Sequence, residues 1–186
     1  MTSEERFGEL LDGVRRGDEV AATELFRRVQ PRLLRYLRSQ EPRVADDLAA
    51  EVWVAVASGL DSFEGDEGGF RAWTFTIARR RVLDHRRKGV RRRTSPVEPD
   101  GLEDRPDPAA ADAISDGNEA QEAVDMIVSV LPPDQAEVVL LRVLGDLDAE
   151  TVAAMMGRTA GWVRVTQHRA LKRLATQLPR PTDVTP

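Results

Sequence analysis

The chain has 186 residues, of which 41% are apolar and 32% charged, and a net charge of −5; this balance suits small helical domains better than one large core. It contains no cysteine and only two separated histidines, His85 and His168, which excludes a disulfide framework and any thiolate or paired-histidine metal site. Its longest apolar runs, such as 52–57, are far too short for a bilayer, and MTSEERFGELL lacks the basic start and long apolar stretch of a secretory signal, so a cytoplasmic protein with no membrane insertion is expected.

Taken in order, Phe7, Leu10, Leu11 and Val14 recur at helical spacing, and so do Leu25, Phe26, Val29, Leu33, Leu34 and Leu37. Gly17-Asp18 separates these two helices, with Asp18 placed to cap the second, and Pro42 interrupts after Gln40. A third helix is predicted over 44–60, with Val44, Leu48, Val52 and Val56 on one stripe. A glycine-bearing loop, DSFEGDEGG (61–69), leads into a fourth helix carrying RAWTFTIARRRVLDHRR (71–87). Four such helices can enclose a modest core.

The fourth helix is the most basic part of the chain. Residues 71–93 hold ten Lys or Arg against one acid, Asp84, whereas residues 94–133 hold ten acids against one base, Arg105. Phe70, Trp73 and Ile77 share one stripe and Phe75, Ala78 and Val82 another, so the first half of the helix can be packed on two sides. Arg79 with Arg86, and Arg80 with Arg87, line up seven residues apart as ridges suited to backbone phosphates; a solvated charged face is the plainer alternative. Asp84 lies within a turn of Arg80, Arg81, Arg87 and Lys88 and neutralises locally.

Residues 89–123 are rich in Pro, Gly, Asp and Ala, lack a sustained period, and read as a linker. Order returns near Glu119 with a helix carrying Val124, Ile127, Val128 and Leu131, closed by Pro132-Pro133. DQAEVVLLRVLG makes the next helix, Asp148 caps AETVAAMM, and Thr159 caps AGWVRVTQHRALKRLATQL. A short apolar helix, a glycine turn, a polar cap and a longer helix are the layout of a DNA-reading helix-turn-helix. On the last helix Val163, Ala170, Leu171 and Leu174 are expected inward, and Arg164, Thr166, Gln167, Arg169, Lys172 and Arg173 outward. Arg and Gln suit base edges, and Lys and Thr suit phosphates. A plain helical hairpin with a solvated basic face is the alternative.

DDLAAEVWVAV, FRAWTFTIARRRVLDHRR and LPPDQAEVVLLRVLGDLDAETVAAMMGRTAGWVRVTQHRALKRL, in that order and split by an acidic linker, resemble an extracytoplasmic-function (ECF) sigma factor of the sigma-70 family. The likeness covers roughly 7–89 and 119–175. It implies an all-α fold of two small helical domains: region 2 over 1–89, an acidic linker over 90–118, region 4 over 119–178, and a tail over 179–186. It further implies that Asp46, Asp47, Leu48 and Glu51 contact the β′ clamp helices of core RNA polymerase, where the residues alone suggest only an exposed acidic face. Phe63, Arg79, Arg80, Arg86 and Arg87 would serve the −10 element, with Phe63 either stacking an unstacked base or anchoring its loop. Arg158, Thr159, Arg164, Thr166, Gln167, Arg169, Lys172 and Arg173 would serve the −35 element.

Ala50, Arg80, Trp162 and Val165 depart from the common family pattern, the last three at positions tied to promoter preference. The acidic linker would pass through the polymerase toward the RNA exit path. The partners implied are core RNA polymerase (β and β′ subunits) and promoter DNA, with an anti-sigma factor common among family members. No cofactor, metal or catalytic set is expected: there is no cysteine, no paired histidine and no phosphate-cradling glycine loop. The competing function is a helix-turn-helix regulator that acts without polymerase, which leaves the acidic third helix and the first basic island unused.

Overall fold

The computed structural model describes residues 2–94 and 116–177. The described residues contain eight α-helices and two short 3-10 turns, and no strand occurs among them. Most of the predicted linker, and the tail from 179, lie outside the described residues.

Local chemistry sets the first boundaries. Helix α1 (Ser3–Arg15) opens on a capping box in which Thr2 accepts from the Glu5 amide and Glu5 accepts from the Thr2 amide. Helix α2 (Glu19–Gln40) is capped, as predicted, by Asp18, which accepts from the amides of Val20 at 2.8 Å and Ala21 at 3.2 Å. A 3-10 turn at Pro42–Val44 then leads into α3 (Ala45–Gly59), and a second at Leu60–Ser62 leads toward α4 (Glu67–Thr94).

Helix α4 is longer at both ends than its arginine-rich stretch suggests. Asp66 accepts from the Gly69 amide at 2.7 Å, and its carbonyl accepts from Phe70, so the Gly68-Gly69 pair is drawn into the first turn instead of remaining loop. Gly89 does not end the helix either, because one interior glycine costs only about 1 kcal/mol and the Arg and Lys residues on either side of it, Arg87, Lys88 and Arg91, are good helix formers.

The C-terminal half comprises α5 (Asp116–Val130), α6 (Pro133–Val143), α7 (Ala149–Met156) and α8 (Ala160–Gln177). Between α7 and α8 stands Gly157 at φ +65°, a left-handed turn that a side chain rarely adopts, and Thr159 accepts from the Trp162 amide at 3.2 Å to start α8.

The core is shared. Phe7, Leu33, Tyr36, Leu37, Val52, Phe70, Phe75 and Val82 are fully buried among α1 to α4, and the same cluster continues into Val124, Val138, Leu140, Leu141 and Val152 of the second half. A smaller cluster of Leu131, Ala136, Val139, Ala170 and Leu174 ties α5 and α6 to α8. Burial of a large aliphatic or aromatic side chain contributes about 1.5–3 kcal/mol, so this continuity joins the two helical units as well as building each. Phe26, expected inside from its spacing, is 43% exposed and rests against Trp53 at 5.1 Å between centroids.

Candidate nucleic-acid interface

The density of arginine on α4 poses an electrostatic problem that the fold resolves in part with carboxylates from other elements. Arg71 pairs with Asp146 at 2.9 Å, Arg79 with Glu137 at 3.0 Å, Arg81 with Glu51 at 3.6 Å and Arg86 with Glu41 at 2.6 Å. Arg87 meets Asp84 one turn away at 3.3 Å and stays 74% exposed. The two predicted ridges therefore differ. Arg79 is turned into the seam with the C-terminal helices and Arg86 is tied to the end of α2, where it also donates to the Gln40 carbonyl at 3.0 Å. Arg80 and Arg87 face solvent.

The loop before α4 is held by a residue that no sequence pattern singles out. Arg15 of α1 donates to the carbonyls of Leu60 at 3.2 Å and Phe63 at 2.5 Å, while Asp12 pairs with it at 3.1 Å. No local signal marks such a contact, since Arg15 and Phe63 lie 48 positions apart. Phe63 itself stacks on Trp73 at 5.1 Å and 19° and meets Phe70 edge-on at 5.5 Å. Of its two readings, the geometry displays the loop anchor. Trp73 in turn packs across Gly59, where a Cβ would meet its ring at 2.8 Å.

On α3, Asp46, Asp47, Ala50 and Glu51 are exposed on one acidic face, flanked by Val54 at 67% exposure. Leu48, grouped with them from the sequence, is buried at 4% and belongs to the core. Its partners on the face are only loosely engaged within the chain: Asp46 lies 3.8 Å from Arg38 and Glu51 lies 3.6 Å from Arg81.

Helix α8 presents Arg164, Arg169, Lys172 and Arg173 outward. Thr166, expected outward, is buried at 7%: positions 163, 166 and 170 form the inward stripe. Leu171, expected inward, is 50% exposed because it falls off that stripe. Gln167 is half-buried and accepts from Arg142 at 3.1 Å. Arg158 lies over the Trp162 ring at 5.2 Å, a cation–π contact at the mouth of the turn, and Arg164 pairs with Glu150. Asp148, the cap of α7, accepts from the Thr151 amide, and these hydrogen bonds hold its carboxyl below the usual aspartate range.

Both halves match described families. Residues 25–93 match Sigma-70 region 2 and residues 121–174 match Sigma-70, region 4. The chain belongs to the sigma-70 family of RNA polymerase sigma factors. Among curated relatives it is similar to the ECF RNA polymerase sigma factor ShbA of Streptomyces griseus, with 36% identity covering 90% of this chain and 92% of that one. It is also similar to the ECF RNA polymerase sigma factor SigD of Mycobacterium tuberculosis, with 35% identity covering 92% and 85%. These relatives place it among the ECF sigma factors.

Among solved structures, the sigma factor RpoE in complex with the anti-sigma factor NepR from Bartonella quintana aligns with TM-score 0.57 and 26% identity, covering 83% of this chain and 94% of that one. CnrH in complex with the cytosolic domain of CnrY aligns with TM-score 0.58 at 20% identity over 95% and 97%, a likeness of fold. In this sigma factor, no helix among the described residues is long and apolar enough to cross a membrane.

Proposed function

We propose that this ECF sigma factor binds core RNA polymerase through the exposed acidic face of α3, with Asp46, Asp47 and Glu51 as the contacting carboxylates. In this reading it directs the polymerase to a promoter through two basic helices. The solvent-facing Arg80 and Arg87 of α4 meet phosphates around the −10 element, with the Arg15-braced loop positioned to support opening there. On α8, Arg164 and Arg169 read base edges of the −35 element while Lys172 and Arg173 hold phosphates. The chain acts as an initiation factor in the cytoplasm and makes no bonds of its own. The observation that carries the reading is the presence of region 2 and region 4 in order on one chain. A regulator working without polymerase would have no use for the α3 face.

The test separates the surfaces. Asp47→Lys with Glu51→Lys abolishes co-elution with core polymerase while leaving helicity intact. Arg169→Ala with Lys172→Ala leaves co-elution unchanged but flattens the salt dependence of promoter binding by the holoenzyme, by about 0.9 in log–log slope for each phosphate no longer neutralised. Retained co-elution in the first variant, or an unchanged slope in the second, contradicts the assigned surfaces.

A further inference from the structure

The outward face of α8 has a crest that the proposed base readers only flank. Val163, Thr166, Ala170 and Leu174 form the buried stripe of this helix, from 0% to 9% exposed. At about 100° per residue, Gly161, Val165, His168 and Lys172 fall within roughly 60° of arc on the opposite side, and all four are exposed. Arg164 and Arg169 stand on either flank of that line. Helix α8 carries no acid along its length.

Some of the polar groups suited to base edges are withdrawn from this face. Gln167 accepts from Arg142 of α6 at 3.1 Å, Thr166 is buried, and Arg164 pairs with Glu150 of α7. Val165, in contrast, is 49% exposed on the crest, in the second turn of the helix. Recognition helices meet base edges with their N-terminal residues, which sets Val165 among the bases and Lys172 out toward a phosphate. One turn before Val165, a Cβ at Gly161 would meet only the Thr159 Oγ1, at 4.0 Å. No neighbour within the chain requires glycine there, and the bare backbone leaves room for close approach of a duplex.

The chemistry of the major groove leaves a branched apolar side chain one partner. Base edges there present donors and acceptors, and the one apolar group among them is the thymine C5-methyl. A valine set against guanine, adenine or cytosine would desolvate polar groups that it cannot satisfy. We propose that Val165 is a specificity-determining residue that reads a thymine of the −35 element through its 5-methyl group. This role rests on the sigma-factor reading and adds to Arg164 and Arg169 an apolar contact that separates thymine from cytosine.

Deoxyuridine tests this one group, since it keeps the O4 acceptor of thymine and lacks only the methyl. Full-length protein assembled with core polymerase selects from a library of random-sequence duplexes, and each thymine of the enriched upstream element is then replaced singly by deoxyuridine. At one position the parent holoenzyme binds the deoxyuridine duplex about fourfold more weakly, the scale of one buried methyl-sized group. Val165→Ser binds the two duplexes equally, and Val165→Thr, which keeps one of the two methyl groups, falls between. Leu171→Ser removes a side chain that is likewise 50% exposed but lies about a quarter turn off the crest, and it keeps the parent's ratio. Circular dichroism accompanies each variant. Because the readout compares two duplexes on one protein, a general loss of folding or of polymerase binding does not imitate it. An enriched element without thymine, a parent insensitive to deoxyuridine at every position, or a Val165→Ser holoenzyme that keeps the fourfold ratio overturns the role of Val165. A parent that fails to co-elute with core polymerase overturns the sigma reading itself, and the role of Val165 falls with it.

Discussion

Arg15→Ala tests whether a helix-1 side chain positions the loop that precedes the basic helix. The guanidinium donates to two backbone carbonyls, Leu60 and Phe63, and is 30% exposed at its side chain. A hydrogen bond from a charged donor contributes about 1.5–3 kcal/mol when buried, and less where water can replace it. Because the Phe63 contact is exposed, its carbonyl rehydrates in the variant, and the Leu60 contact carries most of the loss. The summed destabilisation is about 1.5–2 kcal/mol, well short of the sum of two buried bonds. Urea denaturation read by far-ultraviolet dichroism should show a lower midpoint with an unchanged slope. Limited proteolysis should cut the 60–66 loop faster than in the parent. Arg15→Lys, which keeps the charge but cannot fork across two carbonyls, should recover less than half of the loss. A midpoint shift equivalent to under about 0.5 kcal/mol, the scale of an ordinary surface substitution, would refute the bracing role.

Other substitutions probe separate parts of the molecule. Phe63→Ala removes one stacked and one edge-on aromatic contact and should cost about 2–3 kcal/mol in urea denaturation; a change within experimental error would mean the ring is not a loop anchor. Asp148→Ala should cost about 1 kcal/mol at neutral pH. Because the folded carboxyl lies below its ordinary value, that stabilisation is present above about pH 4 and disappears as pH falls through the lowered value. The parent and variant curves should therefore converge as pH falls below that lowered value, and a constant gap would contradict the cap. Tyr36 is the only tyrosine, and burial, reinforced by the Glu137 charge, pushes its hydroxyl well above the ordinary range. A raised value makes its contribution complete below about pH 10 and lost as pH rises beyond it, since only the unfolded chain then releases the proton. Absorbance at 295 nm should show no tyrosinate in the folded chain at pH 10.5 and immediate ionisation on unfolding; titration near 10 while folded would refute the burial.

Much of the architecture can be derived from local chemistry. Asp18, Asp148 and Thr159 cap the helices that their positions announce, and Gly157 takes the left-handed turn that separates the two helices of the helix-turn-helix. The α3 acids and the α8 cations follow from period and charge. Contact across distance is what local pattern does not carry. Nothing near Arg79 indicates that its partner is Glu137, 58 positions on, and a heptad spacing places Arg79 and Arg86 on one ridge without showing that packed neighbours claim both. Thr166 and Leu171 exchange faces between expectation and structure, because a polar residue on an inward stripe and an apolar one beside it look like the reverse in a hydropathy pattern. Leu48 sits among acids that the family resemblance assigns to polymerase contact, although its own stripe with Val52 and Val56 points to the core, where it lies.

The central claim is that this chain is a working promoter-specificity subunit, and one measurement addresses it most directly. The full-length protein is mixed with bacterial core RNA polymerase in moderate salt and resolved by size exclusion. Co-elution at one-to-one stoichiometry is the predicted result. Separate elution of a protein shown by dichroism to be folded, and by mass to be free of any bound partner, would contradict it.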